Sequence, residues 1–425
     1  MSYKDFFEKA KVKQFHSVQV TEKHVVDSSF EVINGKLESF DNYDNTDYQI
    51  KAEIDGKTVK INSNYLGEDV LDSLKMQIEA TDSKYEDEYL EKSENLPVPL
   101  ALSFDVHEEM EQVKALESVR KKYSQVVKMT SYFDEIYTNT RIVNSNGVDI
   151  STDSHLCSFA LEVVIQNGER FTSFDRKILT TNKKDISIEN FAREVIEKGI
   201  LGIHQEKLET KKYDIVLDSS VAGNILRHLI PMASASNIRK KVSCFENRLN
   251  QKIFSNKITI VEDPTNSNYP GYRLFDDEGV RTTNKTVVEE GALKTYFYNI
   301  KEAKIQKIPS TGNGYGEIET RSMILIPGEK SLDELLHSMR NGIYIVDFMG
   351  ASGTSINTVN GDISLQVFGF LIKEGKIVSG IEPAVMTTTI FELFSHVEEV
   401  GDDLIFTRQS AASPSLYIQD ISIAG

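Results

Sequence analysis

Hydrophobic and polar residues alternate along much of this chain with the two-residue period of a half-buried strand. In the stretch 49–61, Ile50, Ala52 and Ile54 alternate with polar neighbours, and Val59 and Ile61 resume the alternation after Asp55-Gly56. That dipeptide accepts the positive φ angles of a tight primed turn, so the segment predicts a β-hairpin. The same device recurs at Asn34-Gly35, Asn167-Gly168, Glu290-Gly291 and Glu374-Gly375. So many tight turns predict antiparallel sheets and not a doubly wound parallel one.

Helical spacing falls between these runs. Glu68–Ala80 carries Leu71, Leu74 and Ile78 on one face, and 108–127 places Met110, Val113, Leu116, Val119, Tyr123 and Val126 at helical intervals. Further helices are predicted at Ile188–Leu201, Ser219–Met232 and Ser331–Met339. The charged stretch 82–94, with Pro97 and Pro99 after it, predicts an exposed acidic loop near 82–97. A second charged stretch, 205–212, precedes the apolar run Ile215-Val216-Leu217. The expected fold class is α+β: an N-terminal α/β domain over 1–208, with an antiparallel sheet and helices, then a C-terminal domain over 209–425 dominated by antiparallel β-strands.

Composition narrows the function classes. The 425 residues are 40% hydrophobic and 27% charged, enough for buried cores without disulfide or metal staples. The formal net charge of −17 argues against nucleic acid as a main partner, because such a surface repels phosphate backbones. No signal-like apolar segment opens the sequence and no apolar run is long enough to span a bilayer, so a cytoplasmic protein away from membranes is expected. The two cysteines, Cys157 and Cys244, follow no metal or redox spacing and are read as buried thiols in a reducing compartment.

A series of motifs then carries a resemblance. These are 213–226; Ile258 to Pro264; Asp276-Asp277-Glu278-Gly279 with Glu290-Gly291 after it; Thr311-Gly312-Asn313; Ile326-Pro327-Gly328; and Asn360-Gly361-Asp362. In that order they resemble the C-terminal half of the TldD/PmbA protease family, and the chain is most similar to its TldE (PmbA) members. Cleaving members of that family carry HExxxH on the helix corresponding to about 221–233, with a cysteine near the C-terminus as third zinc ligand. The helix here reads Asn224-Ile225-Leu226-Arg227-His228-Leu229, with no second histidine, and no cysteine follows residue 400.

The resemblance therefore implies a non-catalytic subunit with no catalytic residue, metal or cofactor of its own. Zinc is expected in a TldD-like partner, and the substrate would be an unfolded or extended peptide, including leader segments of ribosomally made natural products. A homodimer is the expected assembly when no partner is present. A stand-alone peptide-binding or scaffold protein is the alternative.

Each motif also has a purely structural reading. Asp276, Asp277 and Glu278 could hold a cation, but such a run before Gly279 more often makes a polar turn. The loop Thr311-Gly312-Asn313 could cradle an anion, but no obvious helix start follows it, so a tight turn is the better reading. Asn360-Gly361-Asp362 reads as a turn before a strand. His228, alone on an apolar helix, is read as a packed core or interface histidine. No Gly-x-Ser-x-Gly elbow offers a nucleophile in place of the missing zinc.

Overall fold

The computed structural model describes residues 1–81, 114–349 and 355–425. The acidic stretch near 82–97 and the start of the helix expected from Glu108 lie outside the described residues. Of that helix, 114–120 is seen, with Leu116 and Val119 buried. It does not continue to Val127 as the spacing suggests. Val126 instead opens a strand and pairs with Ile165, since burial in a sheet overrides an accidental helical interval.

Six antiparallel strands form the N-terminal sheet in the order β3-β2-β1-β4-β5-β6. They are β1 (Ser17–Ile33), β2 (Lys36–Ile54), β3 (Lys57–Ser63), β4 (Val126–Asn144), β5 (Asp149–Asn167) and β6 (Arg170–Thr180). Both residues of the β2–β3 turn have positive φ, Asp55 at 52° and Gly56 at 76°, as a primed turn requires. Helices α1 (Tyr3–Val12) and α2 (Glu68–Ala80) lay Phe6, Leu71 and Leu74 on Val18, Val20, Ile50 and Ala52. At the other end, α3 (114–120) and α4 (Ile188–Leu201) pack Leu116, Val195 and Ile196 on Phe159, Leu161 and Val163.

The second half is built on a different sheet. The strand Lys211–Leu217 pairs in parallel with Gly342–Met349 and antiparallel with Leu416–Ala424. The latter pairs with Ala384–Thr389, which pairs with Asp362–Lys373, whose other edge returns to Gly342–Met349. Five strands thus close on themselves, which removes exposed edges. The first strand is buried on both faces, which is why Ile215-Val216-Leu217 is uniformly apolar. Ile215 and Leu217 pack with helix α5 (Ser219–Arg227), and Val216 packs with Leu335, Leu336 and Met339 of the helix Leu332–Met339. Antiparallel pairing dominates, although three parallel pairings, including the one above, are present. No helix among the described residues is long and apolar enough to cross a membrane.

Candidate functional site

Helix α5 begins at Asp218, whose side chain caps the Ser220 amide at 3.0 Å. Gly223 lets the helix press against the C-terminal segment, because a Cβ there would lie 3.3 Å from the Ser413 nitrogen. The expected single helix Ser219–Met232 is broken at His228 into α5 and a short helix, Leu229–Ala233. Pro231 explains the break: it has no N–H to donate to the Arg227 carbonyl four residues earlier, and its ring crowds that carbonyl.

His228 therefore sits at a junction. Its Nε2 is buried without a hydrogen-bond partner among the described residues, and so is Nε of Arg227 beside it. Arg408 reaches the same helix and donates to Asn224 at 3.1 Å. Burial first, then the charges of Arg227 and Arg408, push the His228 imidazole down to about 4, so it is neutral near pH 7. This is a poor place for zinc. Two guanidinium groups repel a dication, and no carboxylate or thiolate contact of His228 is present among the described residues. The side chains here do not fit the zinc ion that the HExxxH motif would hold.

The motif residues converge elsewhere. Asp276 is fully buried, and its carboxylate accepts from the amides of Glu278, Val280 and Gly314 at 3.0, 2.9 and 2.8 Å. Burial and the neighbouring Glu278 raise its carboxyl, against the pull of those three amides. Asp277 faces Arg273 at 2.7 Å, while Glu278 accepts from the Ile300 amide at 2.7 Å. The three carboxylates point to three different partners, and Gly279 supplies the turn with φ 86°.

Thr311 bonds Tyr298 and Asn313, and Gly312 adopts φ 71° against the Arg281 carbonyl. Asn313 donates to both oxygens of Glu262 at 2.9 and 3.0 Å. Glu262, also fully buried, takes Lys285 at 2.6 Å and the Arg321 amide at 2.9 Å. Asn360, Gly361 and Asp362 stand apart as a turn with Asn360 and Asp362 exposed and Gly361 buried: the Asp362 amide donates to Asn360 at 3.0 Å, and Gly361 accepts from the Ile390 amide.

What this cluster supports is a cavity of about 530 Å³ between the N-terminal sheet and the loops that carry Arg273, Asp277 and Arg321. Thr21, Gln49, Asn62 and Thr140 line it from the N-terminal sheet, and Arg273, Asp277 and Arg321 from the motif side. Tyr315 lies under both arginines, whose guanidinium carbons are 5.6 and 4.6 Å from its ring, and its buried hydroxyl has no partner among the described residues. Burial raises the Glu319 carboxyl, against the pull of Arg321 and Arg227. Of the motif-side lining the sequence singled out Asp277 but neither Arg273 nor Arg321. It gave no sign of Thr21, Gln49, Asn62 or Thr140, which reach it only through the register of four strands.

Comparison with known proteins agrees with this architecture. A Buchnera aphidicola TldD homologue, described as a metalloprotease, is 28% identical over 232 residues, 52% of this chain and 47% of that protein. The chain thus spans about half the length of that relative. A PmbA homologue, also described as a metalloprotease and also from Buchnera aphidicola, is 24% identical over 68% of this chain and 67% of its own length. Among solved structures, a Thermotoga maritima protein described as a candidate modulator of a DNA gyrase superposes with a TM-score of 0.89 at 24% identity, over the whole of both chains. TldE from Thermococcus kodakarensis superposes with a TM-score of 0.84 at 18% identity, over 99% of each. The PmbA/TldA metallopeptidase central-domain description matches residues 93–201, and the C-terminal-domain description matches 210–425, half of the sequence. The chain belongs to the TldD/PmbA family.

Proposed function

We propose that this chain is a non-catalytic, TldE-like subunit of a TldD/TldE-type metalloprotease complex that handles unfolded or extended peptides. The observation that carries the reading is the helix junction at His228. Where cleaving relatives would hold zinc, this chain has one neutral imidazole between Arg227 and Arg408. The chain would contribute substrate-binding surface, and a TldD-like partner would contribute the metal and the base.

The cavity supports the peptide part of the reading. Its lining is mostly hydrogen-bonding side chains, which suit a peptide main chain. Asn62 belongs to β3, the edge of the N-terminal sheet, so an extended peptide adding to that edge would run beside the cavity. A compartment closed over this open cavity by a partner chain would admit extended chains and spare folded ones. Leader peptides of ribosomally made natural products fit that description, and a cytoplasmic location suits such a task. The domain division at 208/209 belongs to the same proposal, with the cavity lying across it.

Co-expression with a HExxxH-bearing homologue tests the reading. A stable complex that cleaves an unstructured peptide, while this chain alone does not, is the expected result. Peptide binding by the lone chain with no complex formed would favour a stand-alone binding protein.

A further inference from the structure

On the N-terminal sheet, the register of β4 on β5 brings together four side chains from two strands. Glu135 pairs with Cys157, and Tyr137 pairs with His155, so all four project from one face of the two strands. Nε2 of His155 lies 3.0 Å from Oε1 of Glu135 and 3.5 Å from Sγ of Cys157. All three donor atoms fall within 4.8 Å of one another.

Two chemistries could use a cysteine, a histidine and a glutamate. In a nucleophilic triad the imidazole uses both nitrogens, one toward the thiol and one toward the carboxylate. Here thiol and carboxylate meet the same nitrogen, so the imidazole cannot relay a proton between them. Three donors converging on one point is instead the arrangement of a metal site.

The spacing fits. Tetrahedral zinc with ordinary bond lengths sets its nitrogen, oxygen and sulfur ligands about 3.4–3.6 Å apart. The imidazole's separations from carboxylate and thiol, 3.0 and 3.5 Å, need only small rotations to reach that, and the carboxylate and thiol themselves lie within 4.8 Å of each other. Lys183 approaches one oxygen of Glu135, Oε2, at 3.4 Å, while Oε1 faces the imidazole and also accepts from the Tyr137 hydroxyl at 3.3 Å. The Tyr137 ring stacks on His155 with centroids 4.1 Å apart and fixes its plane. A cavity of about 30 Å³ bordered by Glu135, Cys157 and Lys183 has room for one water as fourth ligand.

We infer that Glu135, His155 and Cys157 form a binding site for one divalent cation of the zinc class, on the N-terminal sheet and separate from the family's catalytic position. Thiolate and imidazole select a borderline-soft ion over magnesium or calcium. The bound ion ties β4 to β5 beside the polar connection at 182–185.

Cobalt(II) added to the metal-free full-length chain under reducing conditions tests this. One equivalent should produce a thiolate-to-cobalt charge-transfer absorption, which an equivalent of zinc then abolishes. Cys157→Ser should remove the band, His155→Ala should weaken binding by at least about tenfold, and Cys244→Ser and His228→Ala should leave it intact. The wild-type titration decides the matter even if a variant folds poorly. No charge-transfer band on the wild-type chain, or a band that survives in a folded Cys157→Ser protein, would overturn the assignment.

Discussion

Arg176 on β6 and Asp218 at the head of α5 form a two-pronged, buried ion pair that joins the two halves of the molecule. The second prong measures 2.7 Å, and Asp218 is only 1% exposed. Tyr344 donates to the same carboxylate, and Lys198 donates to the Tyr344 hydroxyl at 3.1 Å. Burial alone would raise the Asp218 carboxyl; Arg176 and Lys198 outweigh it and hold it well below the usual carboxylate range.

Removing one partner of this pair leaves a charge in the interior. Arg176→Ala should cost about 3–5 kcal/mol in urea unfolding, and Tyr344→Phe about 1–3 kcal/mol. Because the folded carboxyl is depressed, its contribution is present above the unfolded value near 4 and is lost as pH falls below it. Asp218→Asn should therefore flatten the acid limb of the stability profile. An Arg176→Ala protein as stable as wild type would show that the two halves do not depend on this pair.

The Glu262 hub gives a parallel expectation. Lys285→Met strands a fully buried carboxylate that only Asn313 and one amide then serve, so a loss of about 3–5 kcal/mol is expected in the same measurement. Since the hub fixes Arg321, peptide affinity should fall with it.

How much of this was visible in the sequence follows from how local each feature is. The turns at 34–35, 55–56 and 374–375 were legible because both residues need positive φ, and Asn-Gly, Asp-Gly and Glu-Gly place glycine where that matters most. The outer half of β2 was not. Residues 41–47 are almost entirely polar and show no alternation, yet they form a strand, exposed over much of its length and held by backbone pairing to β1. On the motif side of the cavity, the run Asp276–Gly279 pointed to Asp277, while Arg273 and Arg321 carried no signal. Its other wall, the Arg176–Asp218 pair and the Glu135–His155–Cys157 cluster all depend on strand register or on contacts between halves, which spacing along one chain does not record.

His228 tests the site from the side of pH. Its imidazole is held near 4 when folded, against about 6.5 when unfolded, so the unfolded chain binds more protons between those values. Stability should therefore fall as pH drops from 6.5 to 4, and His228→Gln should remove at most about 2 kcal/mol of that dependence, given solvent screening of a half-buried ring. His228→Ala should cost about 1–3 kcal/mol at pH 7 through lost packing. An identical acid profile in wild type and His228→Gln would show that the ring titrates normally.

The cavity predicts a separation of binding from stability. Arg321 contacts Tyr315 but makes no ion pair among the described residues, so Arg321→Ala should change the unfolding midpoint little. Affinity for an unstructured peptide should drop at least about fivefold, read by fluorescence anisotropy, which corresponds to the loss of one charge-assisted hydrogen bond. Unchanged affinity would place the peptide elsewhere.

The proposal that this chain performs no bond cleavage itself is open to one direct measurement. A complex is assembled from this chain and a TldD-type chain whose HExxxH glutamate is changed to glutamine, and single-turnover cleavage of an unstructured peptide is followed. Loss of cleavage to background, with the complex still intact by size-exclusion chromatography, is the predicted result. Cleavage persisting at a substantial fraction of the unmodified complex's rate would mean that this chain carries a catalytic site of its own.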